Sequence, residues 1–226
     1  MNGSDTENKT GQGQAEGHEI MRAGISEDNK DPTDDSTDDE KALEYFPVSE
    51  GKLITLYILS FGLYGVYWFY KNWTLQQPRM EKKIFPVMRA IFSIFFTHSL
   101  FKRINRSAEH LEKKHKFNAN LMATLFVAAV VIGNVLDRVS VNFGILETLS
   151  DSTVIILSLI IFLLSAYPLA AVQATVNRIN NDMLGYLNHK YSVWNYLLIA
   201  SGSILWLMVL LGLLAESMGL VPAAAQ

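Results

Sequence analysis

Apolar residues fill the chain in five blocks separated by charge. The uncharged runs are 18 residues long between Lys52 and Lys71, 12 between Arg89 and Lys102, 20 between Lys116 and Asp137, 26 between Asp151 and Arg178, and 25 between Lys190 and Glu216. A helix rises about 1.5 Å per residue, so about 20 apolar residues cross roughly 30 Å of hydrocarbon. The last three runs reach that length and consist largely of Leu, Ile, Val, Ala and Phe. They predict transmembrane helices at 119–136, 153–175 and 193–214. Read as soluble buried helices, all three would need amphipathic partners to cover them, and the chain offers none.

The first two blocks predict a different element. Residues 53–70 read LITLYILSFGLYGVYWFY, with Gly62 and Gly65 in the middle. Tyr64, Tyr67, Trp68, Tyr70 and Trp73 follow as an aromatic cluster, and such density points to the headgroup level. Only 53–61 would then be immersed, half of what a span needs. The expectation is a short helix, a bend at Phe61-Gly62 and a second helix. The block 90–101 is too brief to span. It opens at Pro86, a favourable first-turn residue, and runs into the basic stretch 102–116, as an interfacial helix would. The expected fold is therefore all-α: a helical integral membrane protein of three spans preceded by a re-entrant or interfacial unit.

Before that unit the pattern disappears. Residues 1–44 contain no Phe, Trp, Tyr or Val and one Leu, and Asp31–Glu40 reads DPTDDSTDDE. Such a segment buries too little apolar surface to offset an ordering cost of about 1–2 kcal/mol per backbone residue. A disordered acidic tail is expected over 1–44, a membrane-embedded unit over 45–117, a helical bundle over 118–216 and a short tail over 217–226. The tail has no secretory or acylation signal. The EF-hand spacing is also missing from its acidic run.

Charge is sorted along the chain. The formal net charge is −3, but residues 1–52 hold 14 Asp/Glu and 5 Lys/Arg, whereas residues 53–226 hold 8 and 14. Connection 71–116 carries 11 Lys/Arg, 137–152 one, 176–192 two and 215–226 none. Basic connections stay in the cytoplasm, which places 71–116 and 176–192 inside, and 137–152 and the C-terminus outside. The tail lies outside if 53–70 crosses once and inside if it dips and returns. The second reading is preferred, because translocating some 50 residues without a signal is uncommon and two glycines permit a bend.

The run Phe46-Pro47-Val48-Ser49 with Ser60-Phe61-Gly62-Leu63-Tyr64-Gly65-Val66-Tyr67-Trp68-Phe69-Tyr70-Lys71 resembles a bacterial membrane-protein family with a Phe-Gly-Leu/Ile-Tyr-x-x-Tyr-Trp-x-Tyr-Lys signature. The likeness continues through Arg89-Ala90-Ile91-Phe92, Ser99–Arg103 and Asn177–Asn180, about half the chain. Gly65 stands where that pattern has a larger residue. The resemblance implies a helical bacterial inner-membrane protein and brings no activity with it.

Candidate chemistry is sparse. The absence of cysteine excludes disulfides and thiol catalysis. No histidine pair has the i, i+4 spacing of a zinc site, and His98, beside Thr97 and Ser99, diverges from them by about 100° on a helix. No catalytic residue, metal ligand or cofactor is assigned, and no enzyme is expected. Polar residues at the span ends offer a vestibule of Gln173, Asn177, Arg178 and Asn181, with an interfacial boundary as the plainer alternative. Lys102, Arg103, Arg106, Lys113, Lys114 and Lys116 are expected to contact anionic headgroups, each contributing about 1 kcal/mol near a charged leaflet. Nucleic acid is not an expected partner, since no module for it is present. Ala166, Ala170 and Ala174 form a small-residue stripe suited to close helix packing, within the chain or in a homo-oligomer. The leading expectation is a non-enzymatic membrane interaction or assembly component, with the acidic tail available to a protein partner. An oligomeric solute or ion permeation protein is the alternative, and a lipid-modifying enzyme a weaker one.

Overall fold

A computed structural model describes residues 43–111, 117–143 and 151–220. The described residues form an all-α membrane-protein fold. Its helices are α1 (Glu50–Leu59), α2 (Leu63–Gln76), α3 (Pro86–Ile91), α4 (Ser93–Ser107), α5 (Ala119–Phe143), α6 (Asp151–Ile179) and α7 (Val193–Ser217). Three of them, α5, α6 and α7, are long and apolar enough to cross a membrane. Each extends beyond its predicted span, because the backbone stays helical past the first charges outside the hydrocarbon. The expected disorder of residues 1–42 falls outside the described residues, as do the structure of 112–116 and of 221–226.

The block 53–70 is not one helix. Ser49 caps α1 by accepting from the Lys52 amide at 3.3 Å, and Glu50 sits in the first turn, where the helix dipole favours a negative charge. Ten residues later the helix closes in a Schellman turn. The Phe61 amide donates to Ile58 O and the Gly62 amide to Tyr57 O, with Phe61 at φ +51 and Gly62 at φ +87. Phe61 accepts this left-handed backbone because its ring is held between Trp206, at 5.0 Å, and Phe162, at 6.4 Å. The bend lies where the sequence predicts it. α2 then returns against α1, and the two helices close on each other at Gly65, where a Cβ would lie 2.8 Å from the Tyr57 ring. The missing side chain at Gly65 thus leaves room for Tyr57.

The hairpin enters and leaves at one end of α6. Its turn meets Phe162 near the middle of α6, Tyr57 Oη bonds Ser165 Oγ at 2.6 Å, and Trp68 Nε1 donates to Gln173 Oε1 at 2.6 Å. The segments at both its open ends, before α1 and at the close of α2, lie by the C-terminal end of α6. At about 1.5 Å per residue, α1 measures roughly 15 Å and α2 roughly 21 Å, so neither crosses a bilayer. The two helices therefore form a hairpin whose arms are both shorter than a span.

The core lies between the hairpin, α4, α5 and α6, around Trp68, Phe69, Trp73, Phe101, Phe126 and Leu169. The aromatic cluster divides between this core and the outer surface. Tyr64, Trp68 and Trp73 are buried against the rest of the protein, and only Tyr67 and Tyr70 are exposed. At 100° per residue Trp68 falls on the inner face of α2 with Gly65, Phe69, Asn72 and Gln76, and Tyr64 and Trp73 lie at the two edges of that face. The block opened by Pro86 also differs from one continuous helix, since Phe92 (φ −93, ψ 38) separates α3 from α4. Finally, α7 leans on α1, where Trp206 Nε1 donates to Ile58 O at 3.0 Å. Most of its surface is left as uncovered apolar side chains, which is how a helix faces hydrocarbon.

Candidate functional site

The polar side chains at the end of α6 meet an extended strap, Glu44–Val48, that precedes the hairpin. A strap without secondary structure leaves its amides and carbonyls to be satisfied by something else. Side-chain amides do this here. Asn72 Oδ1 accepts from the Phe46 amide at 3.1 Å, and Gln76 Nε2 donates to Glu44 O at 2.8 Å. From α6, Gln173 Nε2 donates to Phe46 O at 3.2 Å and Asn177 Nδ2 to Val48 O at 3.1 Å. Asn180 does both: its Nδ2 donates to Tyr45 O at 2.8 Å and its Oδ1 accepts from the Tyr45 amide at 3.4 Å. Asn188, in the connection to α7, donates to Pro47 O at 3.0 Å. Six amide side chains thus hold five consecutive residues.

The amides also bond one another, with Gln173 Nε2 donating to Asn177 Oδ1 at 2.7 Å. Side chains complete the clamp. Tyr45 Oη bonds Ser107 Oγ at 3.0 Å, and Ser107 Oγ donates to the Glu44 carboxylate. Tyr45 is fully buried, and burial pushes its hydroxyl up to about 12, against the lowering effect of the Ser107 bond.

This geometry corrects the vestibule. Gln173 and Asn177 are fully buried and hold the strap, so they face no opening. Asn180, one residue before the predicted Asn181, is the third member of that face. Asn181 is exposed and has φ +59. It is the left-handed residue of a Schellman turn, in which the Asp182 amide donates to Asn177 O and the Asn181 amide to Arg178 O. Arg178 is half-buried and donates to Ala174 O within its own helix. A cavity of about 480 Å3 does lie between the hairpin and α5–α6, but Tyr57, Phe61, Phe69, Phe126 and Phe162 wall it rather than any predicted vestibule residue.

Of the predicted headgroup contacts, Lys102 and Arg106 are exposed on α4, and Arg103 is half-buried with Nη1 donating to Gln76 Oε1 at 3.3 Å. Lys113, Lys114 and Lys116 lie outside the described residues. An apolar surface accompanies the exposed pair: Phe85, Val87, Met88, Ile91, Phe92 and Phe95 are exposed along α3 and the start of α4, Phe85 and Phe95 each at 77%. His98 is half-buried, with Nε2 3.2 Å from Thr124 Oγ1, and so ties α4 to α5.

Sequence reasoning missed Asn72, Gln76, Asn188 and the strap itself. The signal that could have found them was the spacing of Gln173, Asn177 and Asn180 at i, i+4 and i+7, one face of a helix, opposite a Tyr-Phe-Pro-Val segment with no regular structure of its own. Comparison with family models, with curated proteins and with solved structures gives no match.

Proposed function

We propose that this protein is a non-enzymatic component of a bacterial inner membrane. Its acidic N-terminal segment lies on the cytoplasmic side of that membrane, and a basic protein partner docks on it. The observation that carries this reading is the clamp. The interior amides of α2 and α6 are engaged with the chain's own strap, which ties the acidic segment to the membrane-embedded body. The excess of Lys/Arg in 71–116 and 176–192 supports a cytoplasmic location for those connections. A hairpin that opens at that same end supports a tail on the same side. Lys102 and Arg106 on α4, with the apolar surface of α3 beside them, support an anchor lying in the headgroup layer.

The reading is tested in cells by a photo-crosslinking residue at position 36 of the full chain, beside a reporter fused at residue 20. A cytoplasmic reporter signal and a discrete adduct to a basic protein, lost on neutralising Asp34, Asp35, Asp38 and Asp39 to Asn, are expected. A reporter signal from the far face, or adducts indifferent to the four substitutions, overturns the proposal.

A further inference from the structure

At the open end of the hairpin a lysine is buried among neutral hydrogen-bond partners of the described residues. Lys52, 4% exposed, donates from Nζ to Asn188 Oδ1 at 2.7 Å and to the carbonyl of Lys190 at 2.6 Å, and the Tyr191 ring lies 5.7 Å away. These partners are neutral, and no Asp or Glu among the described residues is hydrogen-bonded to it. Burial lowers the affinity of its amine for the proton. A desolvated ammonium satisfied only by dipoles is costly, and an anion nearby is the usual remedy.

Space for one lies alongside. A cleft of about 530 Å3 is lined by Lys52, Asn188, Lys190, Ser192 and Asn195 on one side, in the size range of small-molecule sites. Tyr67 and Trp194, the latter 80% exposed, also line it, and Leu63 and Leu198 contribute an apolar wall. Two lysines and two amides suit a phosphate ester. The aromatic and leucine side chains suit an attached glycerol or acyl chain at the headgroup level.

We infer that this cleft, between α2, the α6–α7 connection and the start of α7, is a binding site for a phosphate ester contacted by Lys52, Lys190 and Asn195. The ester is the headgroup of an anionic lipid or a soluble phosphomonoester, and the cleft is separate from the basic surface of α4.

The test uses native mass spectrometry of the full-length protein in neutral detergent. Dioleoylphosphatidylglycerol is titrated against dioleoylphosphatidylcholine, and sn-glycerol 3-phosphate is titrated in a second arm. Lys190→Gln keeps the backbone carbonyl that Lys52 uses, so it removes charge without opening the clamp. At least a fivefold preference for phosphatidylglycerol is expected in the wild type, most of it lost in Lys190→Gln and retained in Lys102→Gln/Arg106→Gln. Tight binding of glycerol phosphate with the same dependence on Lys190, without a lipid preference, identifies the soluble source and also supports the site. Absence of both, binding indifferent to Lys190→Gln, or a preference lost only in the α4 variant overturns the inference.

Discussion

Replacing Gln173 by Leu removes the centre of the clamp at nearly constant volume. Three buried groups lose their partner: Trp68 Nε1–H, Phe46 C=O and Asn177 Oδ1. Bonds between side chains inside membranes average about 0.6 kcal/mol, so three give about 2 kcal/mol as a lower figure. Buried groups left unpaired cost about 1–3 kcal/mol each in water-soluble proteins, which sets a higher bound. The lower figure is the safer working value, because the strap lies near the end of α6 and a released strap finds water. Since about 1.4 kcal/mol is tenfold, the open population of the strap should rise about 30-fold or more.

The chain lacks cysteine, so a single introduced thiol reports on one place. Val48→Cys is a conservative exchange at a fully buried position within the strap. Its reaction with a maleimide follows the open population when reclosure is fast. Gln173→Leu should speed labelling of this strap thiol about 30-fold and leave a control exposed in the connection between α2 and α3, Glu81→Cys, unchanged. A change below threefold in the strap would show that the amide network does not hold it.

Two other consequences are open to measurement. A Cβ at Gly202 would overlap Leu59 O, whereas one at Gly212 meets nothing within 4 Å. Gly202→Ala should therefore push α7 off α1, break the Trp206–Ile58 bond and lower the midpoint of unfolding in sodium dodecyl sulfate, while Gly212→Ala leaves the midpoint the same or higher. The Tyr45 hydroxyl, held protonated up to about 12 in the folded state against about 10 in the unfolded chain, contributes stability that is complete below pH 10 and is lost as pH rises towards 12. That loss amounts to about 2–3 kcal/mol by the top of the window. Near-ultraviolet circular dichroism should show a transition there that is flattened in Tyr45→Phe.

The three spans are readable because length and the absence of charge are enough to define them. The bend at Phe61-Gly62 is readable because an apolar run too short for two interfaces contains a residue pair able to turn. For the aromatic residues density says less than period: the buried half of α2 is centred on positions 65, 69, 72 and 76, with 64 and 73 at its edges, and positions 67 and 70 lie on the opposite half. Glu44, counted with the tail, belongs to the strap, because composition cannot register a carbonyl that a glutamine 32 residues away satisfies. The clamp as a whole escapes for the same reason. Its partners on α6 and beyond lie some 127–141 residues downstream, a range at which periodicity and local propensity say nothing.

That separation sets an order of events during synthesis. The strap leaves the ribosome well ahead of its partners on α6 and beyond, since Gln173 follows Phe46 by 127 residues and Asn188 follows Pro47 by 141. Until then the hairpin has no α6 to lie against, and the buried Trp68 indole has no acceptor. The beginning of the polypeptide must wait in the open while the later helices are inserted, and docking it is among the last steps of assembly. A chain halted before Gln173 would carry every residue of the strap and only two of its six fasteners, Asn72 and Gln76.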